Sequence, residues 1–298
     1  MNPAAIPDPS GSGLTIVVNP SAGPALGGSP AAVLSEALPA ARVVELDDPS
    51  ELAGQLRRAV SDGATALGVA GGDGSVNAAA QIAVAHDLPL MVIPAGTLNH
   101  LARDLGLASV DEAIQAFRGG YTQEIDVARI DGRVFLNTAS IGSYVELVDR
   151  RERLEGRIGK WPAFVLAFFS LLFRSEPVAV RIDGAERKLW VAFFGNCVYT
   201  PRGVVPRSRS SLDDGLIDLR MLDARHGWAR LRLMTAGIVG RAHRARGFEQ
   251  RTVSRLEVVA SEPPIRLARD GETFDGSSTF VVTKTSKELR VFVPAGPG

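Results

Sequence analysis

Short apolar runs alternate with helix-like stretches in the first part of the chain. The apolar runs are Leu14–Asn19, Ala41–Leu46, Ala66–Val69 and Leu88–Ile93. They are rich in aliphatic residues and lie between turn-forming residues, which predicts buried strands. Helices are expected at Ser29–Leu38, Ser50–Ser61 (with Ser50 as its N-cap), Val76–Val84 and Val110–Arg118. Strands that alternate with helices indicate a parallel α/β sheet, with ligands at the carboxyl ends of its strands.

The rest of the chain has a different pattern, because strand-like runs follow one another and Asp-Gly pairs separate several of them. The Asp-Gly pairs are Asp131-Gly132, Asp183-Gly184 and Asp270-Gly271. The predicted strands are Ile125–Ile130, Arg133–Ala139, Val178–Ile182, Trp190–Asn196, Leu216–Met221, Leu256–Ala260, Ile265–Leu267, Phe280–Lys284 and Leu289–Val293. This pattern predicts a second, mainly antiparallel domain that begins near residue 125.

Helical stretches interrupt the second pattern. Leu147–Arg157 is densely charged, and Trp161–Phe173 is almost wholly apolar but too short to span a bilayer. Gly227–Ala245 carries several arginines beside aliphatic residues. Each of the last two is interpreted either as a helix packed on the sheet or as a surface that meets a lipid bilayer.

Composition narrows the class of protein. The chain has 298 residues, 45% hydrophobic and 22% charged, with a formal net charge of zero. These values are typical of a soluble globular protein and indicate no nucleic-acid partner. The one cysteine, Cys197, lies in an apolar run and is interpreted as a buried structural thiol in a reducing, cytoplasmic compartment. Residues 1–13 lack the pattern of a signal peptide and are expected to form a flexible tail.

The first candidate functional motif is Gly71-Gly72-Asp73-Gly74, which follows the predicted strand Ala66–Val69 and precedes a predicted helix. Glycines let the backbone approach a phosphate closely, and a helix N-terminus attracts an anion. The stretch is not a P-loop, which requires GxxxxGK[ST], and it lacks the third glycine of a dinucleotide-binding fingerprint. Taken alone, it is also compatible with a tight turn capped by an aspartate.

Two motifs in order, GGDGS-VN from Gly71 and PAGTLNHLARD from Pro94, resemble the diacylglycerol kinase catalytic-domain family, the bacterial lipid kinases akin to sphingosine and ceramide kinases. The resemblance covers about residues 14–295. It implies a Rossmann-like, NAD-kinase-like parallel α/β domain, an antiparallel β-sandwich domain, and an active site in the cleft between them. The implied divisions are 14–124 for the nucleotide-binding domain, 125–284 for the β-sandwich, and 285–298 for a strand that returns to the first domain.

The resemblance also implies the site residues. ATP is expected to contact Asn19, Gly71, Gly72, Asp73, Gly74, Ser75, Asn77, Gly96, Thr97 and Asn99. Glu272, in an Asp-Gly-Glu turn, is implied as the base that accepts the proton of the lipid hydroxyl, with Asp73 as its partner at the metal and γ-phosphate. Asp214 and the carbonyl groups of Ser211 and Leu216 are implied as ligands of a second, structural Mg²⁺. For the Asp-Gly-Glu turn and for the stretch from Ser211 to Leu216, the alternative interpretation is a plain turn between strands.

The sequence departs from the family pattern at several positions. Ala22 stands in place of serine, His100 in place of aspartate, and Ser140 in place of glycine, and Ser143-Tyr144 replaces an aromatic-acidic pair. The resulting prediction is an ATP- and Mg²⁺-dependent lipid kinase for diacylglycerol or a similar lipid. It is expected at the inner face of the membrane as a peripheral protein, and a homodimer is left open. The alternatives are a kinase of a soluble acceptor, as in NAD kinases, and a non-catalytic nucleotide or lipid sensor.

Overall fold

The computed structural model describes residues 8–19, 30–142, 176–203, 208–224, 247–262 and 264–295. The chain divides into two compact units: Met1–Val127 with Ser286–Gly298, and Ala128–Thr285. The predicted stretches at Leu147–Arg157, Trp161–Phe173 and Gly227–Ala245 lie outside the described residues, as do residues 20–29 and Ser143-Tyr144. No helix within the described ranges is long and apolar enough to cross a bilayer.

The first unit is built on a parallel sheet whose strands lie in the order β2-β1-β3-β4. They are β1 (Leu14–Val18), β2 (Arg42–Glu45), β3 (Ala66–Gly71) and β4 (Leu90–Pro94). Every residue of β1, β3 and β4 is buried, whereas β2 at the edge is partly exposed. Near-continuous apolar runs are typical of parallel strands that are covered on both faces. The four predicted strands are confirmed, with ends that shift by a few residues.

Within the described residues of the first unit, five α-helices accompany this sheet. They are α1 (Pro30–Ala37), α2 (Leu52–Ser61), α3 (Asp73–Ala85), α4 (His100–Asp104) and α5 (Val110–Gly119). The prediction that Ser50 is the N-cap of α2 is wrong. Asp48 instead accepts a hydrogen bond from the amide of Ser50 at 2.8 Å and caps a 3₁₀ turn at Pro49–Glu51, and α2 begins only after this turn. Pro49 favours this arrangement because its fixed φ suits the first position of a helical turn.

The second unit is dominated by antiparallel strand pairs, as predicted. Strands β5 to β11 are Thr122–Ile130, Arg133–Phe135, Thr138–Gly142, Val178–Ile182, Ala185–Asn196, Tyr199–Thr200 and Ser208–Arg209. Residues 122–127 of β5 belong to the first unit. Strands β12 to β17 are Ile217–Asp223, Phe248–Val253, Arg255–Ala260, Ile265–Arg269, Glu272–Gly276 and Thr279–Phe292. Strand β9 pairs with β7, β8 and β12, so it forms the centre of this unit.

The three Asp-Gly pairs form the predicted hairpin turns, between β5 and β6, β8 and β9, and β15 and β16. Both residues of each pair have positive φ, from 44° to 51° for the aspartates and from 73° to 90° for the glycines. Positive φ at both central positions is the type I′ geometry, which matches the twist of the flanking strands.

Two strand predictions need correction. The run Arg133–Ala139 is not one strand, because the carboxylate of Asp270 accepts the amides of Leu136, Asn137 and Thr138 and separates β6 from β7. The two late runs are one strand, β17, which contributes to both units. Its residue Val291 pairs with Leu90 of β4 in the first unit. The strands β10, β11, β13 and β16 were not predicted.

Candidate functional site

The first unit brings the predicted nucleotide residues to one edge of its sheet. The register pairs Val18 with Ala70 and Gly71 with Pro94, so β1, β3 and β4 end together. Asn19 follows β1, Gly72 follows β3, and the second glycine motif follows β4. The carboxyl edge of a parallel sheet is where ligands bind in open α/β folds.

The two glycine motifs are in backbone contact. A Cβ atom built at Gly96 would lie 2.4 Å from the Cα of Gly72, closer than real Cβ contacts allow. The amide of Ala95 donates to the carbonyl of Gly71 at 3.2 Å. A Cβ at Gly71 would lie 2.6 Å from the Cβ of Ser75, so this position has no room for a side chain either. The motifs therefore form one backbone surface, which we call the loop junction: Gly71–Ser75 together with Ala95–Asn99.

Helix α3 begins at the loop junction, and its N-terminus has no capping side chain. Its N-cap is Gly72, which has no side chain to accept a hydrogen bond. The first amides of a helix have no partner within the helix. In the described part of the chain, the amides of Asp73, Gly74 and Ser75 have no other acceptor. Because the helix dipole adds positive charge here, the start of α3 is suited to an anion such as phosphate.

Asp73 links the two motifs through one carboxylate oxygen. Its Oδ1 accepts the amide of His100, the first residue of α4, at 2.8 Å. Its Oδ2 has no hydrogen-bond partner among the described residues. The side chain is half-buried, so Oδ2 is the oxygen left for a ligand. The His100 side chain is exposed, and this contact uses only its backbone.

Asn99 shapes the second loop through its side chain. It has a left-handed backbone, with φ 50°, which a short amide side chain tolerates. Its Oδ1 accepts the amide of Gly96 and its Nδ2 donates to the Gly96 carbonyl, both at 2.9 Å. Thr97 lies exposed at the tip between them. A direct contact of Asn99 or Thr97 with a nucleotide stays a prediction.

Asn19 and Asn77 make hydrogen bonds that hold the junction together. The Nδ2 of Asn19 donates to the hydroxyl of Ser75 at 2.7 Å. The Oδ1 of the buried Asn77 accepts Nε2 of Gln81 one turn later at 2.9 Å. These contacts fix β1, the glycine turn and the first turns of α3 relative to one another.

In the second unit, Glu272 is presented on the type I′ turn between β15 and β16. Its side chain is 64% exposed, and its Oε2 lies 3.7 Å from Nη2 of Arg269. The turn is held by Asp270, whose carboxylate accepts three amides of the β6–β7 connection. Arg269 donates to the carbonyl of Val134 at 2.7 Å, and burial lowers the pKa of its guanidinium. Glu272 is therefore an accessible carboxylate on a well-anchored turn.

The predicted metal turn at residues 211–216 has its own hydrogen bonds. The carboxylate of Asp214 accepts the amide of Leu216 at 2.9 Å on Oδ1 and the amide of Val198 at 2.8 Å on Oδ2. The carbonyl of Leu216 accepts the amide of Cys197 at 3.0 Å. The hydroxyl of Ser211 donates to Asp213 at 2.7 Å. The turn is therefore closed by contacts within the protein.

Cys197 is fully buried beside this turn, which confirms the prediction of a buried thiol. Burial raises the pKa of the Cys197 thiol above its ordinary value, and the ammonium group of Lys284 partly opposes this effect. The Nζ of Lys284 lies 3.0 Å from the sulfur. Cys197 has φ 73°, a left-handed conformation that is uncommon for a residue other than glycine.

Several buried polar residues of the second unit were missed from the sequence. Arg220 and Asp218 form an ion pair of 2.7 Å, with 2% and 0% of their side chains exposed. Arg220 also donates to the carbonyls of Tyr199, Pro201 and Gly203. The sequence does contain one signal for this ion pair. Asp218 and Arg220 are two residues apart in an apolar strand, and this spacing places both side chains on one face of β12.

Comparison with known proteins agrees with this architecture. The family model described as "Diacylglycerol kinase catalytic domain" matches residues 13–130. A diacylglycerol kinase from Mycobacterium tuberculosis (strain ATCC 25618 / H37Rv) is 31% identical over 234 residues, which cover 73% of each chain. A diacylglycerol kinase from Bacillus subtilis (strain 168) is 30% identical over 214 residues, covering 68% of this chain and 69% of the relative. A protein of Xanthomonas euvesicatoria pv. vesicatoria named "Probable lipid kinase YegS-like" is 30% identical over 254 residues, covering 79% and 81%.

Comparison with solved structures supports the same fold. The crystal structure of a diacylglycerol kinase from Bacillus anthracis str. Sterne superposes with a TM-score of 0.64 at 17% identity, covering 94% of this chain and 96% of that one. The class of protein is thus one with an N-terminal α/β domain and a C-terminal β domain. Together with the sequence relatives, this shows that the chain belongs to the diacylglycerol kinase catalytic-domain family, a family of lipid kinases.

Proposed function

We propose that this protein is an ATP- and Mg²⁺-dependent lipid kinase that transfers the γ-phosphate to the hydroxyl of diacylglycerol or a similar lipid. The observation that carries the proposal is the loop junction, where two glycine motifs meet in backbone contact at the start of a long helix. Membership of a lipid kinase family makes phosphate the expected ligand of this surface.

The loop junction is proposed to hold the phosphates of ATP. The unpartnered amides at the start of α3 would donate to phosphate oxygens, and the helix dipole would favour their negative charge. Gly71, Gly72, Gly74 and Gly96 would keep side chains away from the ligand. Ser75 and Asn19 would contribute at the edge, where their mutual hydrogen bond already fixes both side chains.

Asp73 is proposed as the residue that would hold Mg²⁺ at the phosphates. The residue fits this role because its Oδ2 has no partner in the described part of the chain, and carboxylate oxygens suit Mg²⁺. When bound, the ion supplies charge neutralisation at the phosphates. The hydrogen bond from His100 to Oδ1 would keep the carboxylate in one orientation.

Glu272 is proposed as the base. Its carboxylate would accept the proton of the lipid hydroxyl while the hydroxyl oxygen forms a bond to the γ-phosphorus and the bond to the β–γ bridging oxygen breaks, which leaves ADP. An unaided hydroxyl is too weak an acid to ionise at neutral pH, so a positioned carboxylate is needed. Its exposure supports the proposal because an acceptor has to reach it.

Transfer of labelled γ-phosphate from ATP-Mg²⁺ into a mixed lipid extract tests the function. Wild type should give a labelled lipid, and Asp73→Asn and Glu272→Gln should each lower the rate on the order of 100-fold or more. If both residues serve one transfer step, the transfer rate of the double variant should be only slightly lower than that of the slower single variant. Normal transfer by Glu272→Gln would show that the base is wrongly assigned.

Glu186→Gln is a matched control for Glu272→Gln. Glu186 is also an exposed carboxylate just after an Asp-Gly turn, and its Oε1 lies 3.7 Å from Nη2 of Arg181. The two variants remove the same charge from the same kind of hairpin. If both variants lost activity, the loss would be due to the removed charge or to a changed hairpin, and not to a missing proton acceptor at Glu272.

The same assay separates the alternative functions. A soluble-acceptor kinase should label a soluble compound at a rate that added bilayers do not change. A sensor should bind ATP and label no acceptor in either fraction. A lipid product that disappears with Asp73→Asn excludes both.

A lipid substrate requires contact with a membrane surface, and we propose that this contact is peripheral. Trp161–Phe173 is a candidate for this role because its sequence is almost wholly apolar. A vesicle flotation assay on the double variant Phe168→Asp and Phe169→Asp tests it, with circular dichroism as the check that the variant is folded. Unchanged flotation of the folded variant would show that this segment does not hold the protein at the bilayer.

A further inference from the structure

Arg269 lies beside the proposed base Glu272, and contacts within the second unit anchor its guanidinium group. Its side chain on β15 is 12% exposed. Its Nη1 donates to the carbonyl of Val134 on β6 at 2.7 Å. Its guanidinium carbon lies 6.0 Å from the centre of the Phe274 ring on β16. A planar guanidinium that is held in this way keeps its fork of donors pointing in one direction.

Glu272 is much less constrained than Arg269. The two residues are cross-strand partners in the register of β15 and β16, and the Glu272 side chain is 64% exposed. Its Oε2 lies 3.7 Å from Nη2 of Arg269, and this is the one ion pair of the carboxylate among the described residues. A long exposed side chain populates several rotamers. The anchored guanidinium is therefore the group that can select one of them.

Two further charged groups act on Arg269. Asp270 attracts the guanidinium, and Arg133 on β6 repels it. Both oxygens of Asp270 accept amides of the β6–β7 connection, so the backbone fixes this carboxylate. The guanidinium carbon of Arg133 lies 4.3 Å from the centre of the Phe274 ring. The carboxylate whose orientation depends on Arg269 is thus that of Glu272 and not that of Asp270.

The hairpin between β8 and β9 carries a similar ion pair with a more exposed arginine. Arg181 and Glu186 are also cross-strand partners, and Nη2 of Arg181 lies 3.7 Å from Oε1 of Glu186. The Arg181 side chain is 53% exposed. When both side chains of an ion pair are mobile, the entropy lost on ordering them offsets most of the attraction. At Arg269 other contacts already order one partner, so less entropy opposes the pairing with Glu272.

We propose that Arg269 is a positioning residue for Glu272, which holds the carboxylate in one orientation for accepting the proton of the lipid hydroxyl. A general base contributes only while it lies within hydrogen-bond reach of that proton, so its orientation controls the rate. Arg269 acts through Glu272 and not on the reacting atoms. Because Glu272 is the proposed base, this proposal rests on the proposed function and adds a second residue to it.

Steady-state kinetics of Arg269→Gln with ATP-Mg²⁺ and a diacylglycerol acceptor test the proposal. We expect kcat to fall on the order of 10-fold, because Glu272 is still present but is in the productive orientation for less of the time. The KM for ATP should stay the same, because the loop junction is unchanged. Arg181→Gln is the matched control and should keep the wild-type kcat. A wild-type kcat for Arg269→Gln, or an equal fall for Arg181→Gln, would contradict the proposal.

A double-mutant cycle separates positioning from a general effect on the fold. If Arg269 acts only through Glu272, then Arg269→Gln should cause no further loss of transfer rate in the Glu272→Gln background. A further loss of about 10-fold in that background would show that Arg269 acts by another route. Circular dichroism of each variant checks that it is folded.

Arg269→Lys is the second variant, for use where Arg269→Gln cannot be purified folded. It keeps the positive charge but lacks the fork that reaches the Val134 carbonyl and Glu272 at once. Its kcat should lie between those of wild type and Arg269→Gln, again with no further loss in the Glu272→Gln background. A wild-type kcat for Arg269→Lys would show that the anchored fork is not needed.

The same variants distinguish failure of this proposal from failure of the proposed function. Full activity of Glu272→Gln would remove the base and the role of Arg269 with it. An inactive Glu272→Gln beside a fully active Arg269→Gln would leave the base in place and overturn only the role of Arg269.

Discussion

The loop junction in the first unit and the turn at residues 211–216 in the second unit are similar in sequence but differ in what their polar groups do. Each has an Asp-Gly pair next to a buried strand. At the loop junction, Oδ2 of Asp73 and the first amides of α3 have no partner among the described residues. At the other turn, both oxygens of Asp214 accept amides, and the buried Nζ of Lys284 lies 3.9 Å from Oδ1. Unsatisfied groups indicate a binding surface, whereas satisfied ones indicate a structural role.

Removing the charge of Asp214 should have the largest effect on stability. Asp214→Asn is nearly isosteric, but it removes the carboxylate that lies 3.9 Å from the buried Nζ of Lys284 and replaces one amide acceptor by a donor. We expect the free energy of unfolding to fall by about 3–5 kcal/mol. Urea denaturation measures this.

Asp73→Asn is the counterpart of Asp214→Asn at the loop junction. It should change the free energy of unfolding by less than about 1 kcal/mol, because Asp73 is half-buried and accepts a single amide. Equal losses for the two variants would remove the distinction between the two regions.

The next largest effect is expected on activity, from a substitution that blocks the close backbone contact at the loop junction. Gly96→Ala places a methyl group 2.4 Å from the Cα of Gly72, so the two loops must separate. We expect kcat/KM for ATP to fall about 100-fold, because small misplacements of phosphate-binding groups are costly. The measurement is steady-state kinetics with the lipid acceptor.

Gly54→Ala is the control for Gly96→Ala. Gly54 lies within α2, and a Cβ there meets nothing within 4 Å. This variant should be active and about 0.5–1 kcal/mol more stable, because alanine favours helix over glycine. Full activity of Gly96→Ala would show that the loops need no close contact.

The raised pKa of Cys197 predicts a moderate dependence of stability on pH. The unfolded chain ionises its thiol near the ordinary pKa of about 8.5, whereas burial keeps the folded thiol protonated to higher pH. The folded state then binds more protons than the unfolded state, so this contribution to stability is present below about pH 8.5 and is lost as the pH rises, by at most about 1.4 kcal/mol per pH unit. Urea titrations of wild type and Cys197→Ala at several pH values should show their difference changing only above this pH. Parallel curves would contradict the prediction.

The smallest effect is expected at Ser140, whose hydroxyl is buried and has no hydrogen-bond partner in the described part of the chain. Ser140→Ala removes an unsatisfied polar group without changing the backbone. The free energy of unfolding should stay the same or rise by about 1 kcal/mol. A loss greater than this would show that the hydroxyl has a partner, and thermal unfolding would detect it.

Local patterns predicted that the two glycine motifs lie at the carboxyl ends of their strands, because each motif directly follows its strand in the sequence. Gly71–Ser75 follows one strand and Pro94–Asn99 the next, and parallel strands that end together bring both stretches to one edge. The three Asp-Gly turns were predicted for the same reason, since the dipeptide itself selects the positive φ values.

Contacts between distant residues were not predicted, because they depend on strand register. Lys284 reaches Asn196, 88 residues away along the chain, only because of where β17 and β9 lie in the second unit. Asp270 divides a predicted strand by binding the amide of Leu136, 134 residues away. The burial of Lys284 had no local signal either, since a single lysine in an alternating strand normally faces solvent.

The burial of Cys197 makes the protein convenient for site-specific labelling. The chain has one cysteine, and its thiol is fully enclosed beside Lys284. A single cysteine introduced at exposed Thr97 would therefore be the reactive one in the native protein. A fluorophore attached there would report on the second glycine loop as nucleotide is added, without first replacing the native cysteine.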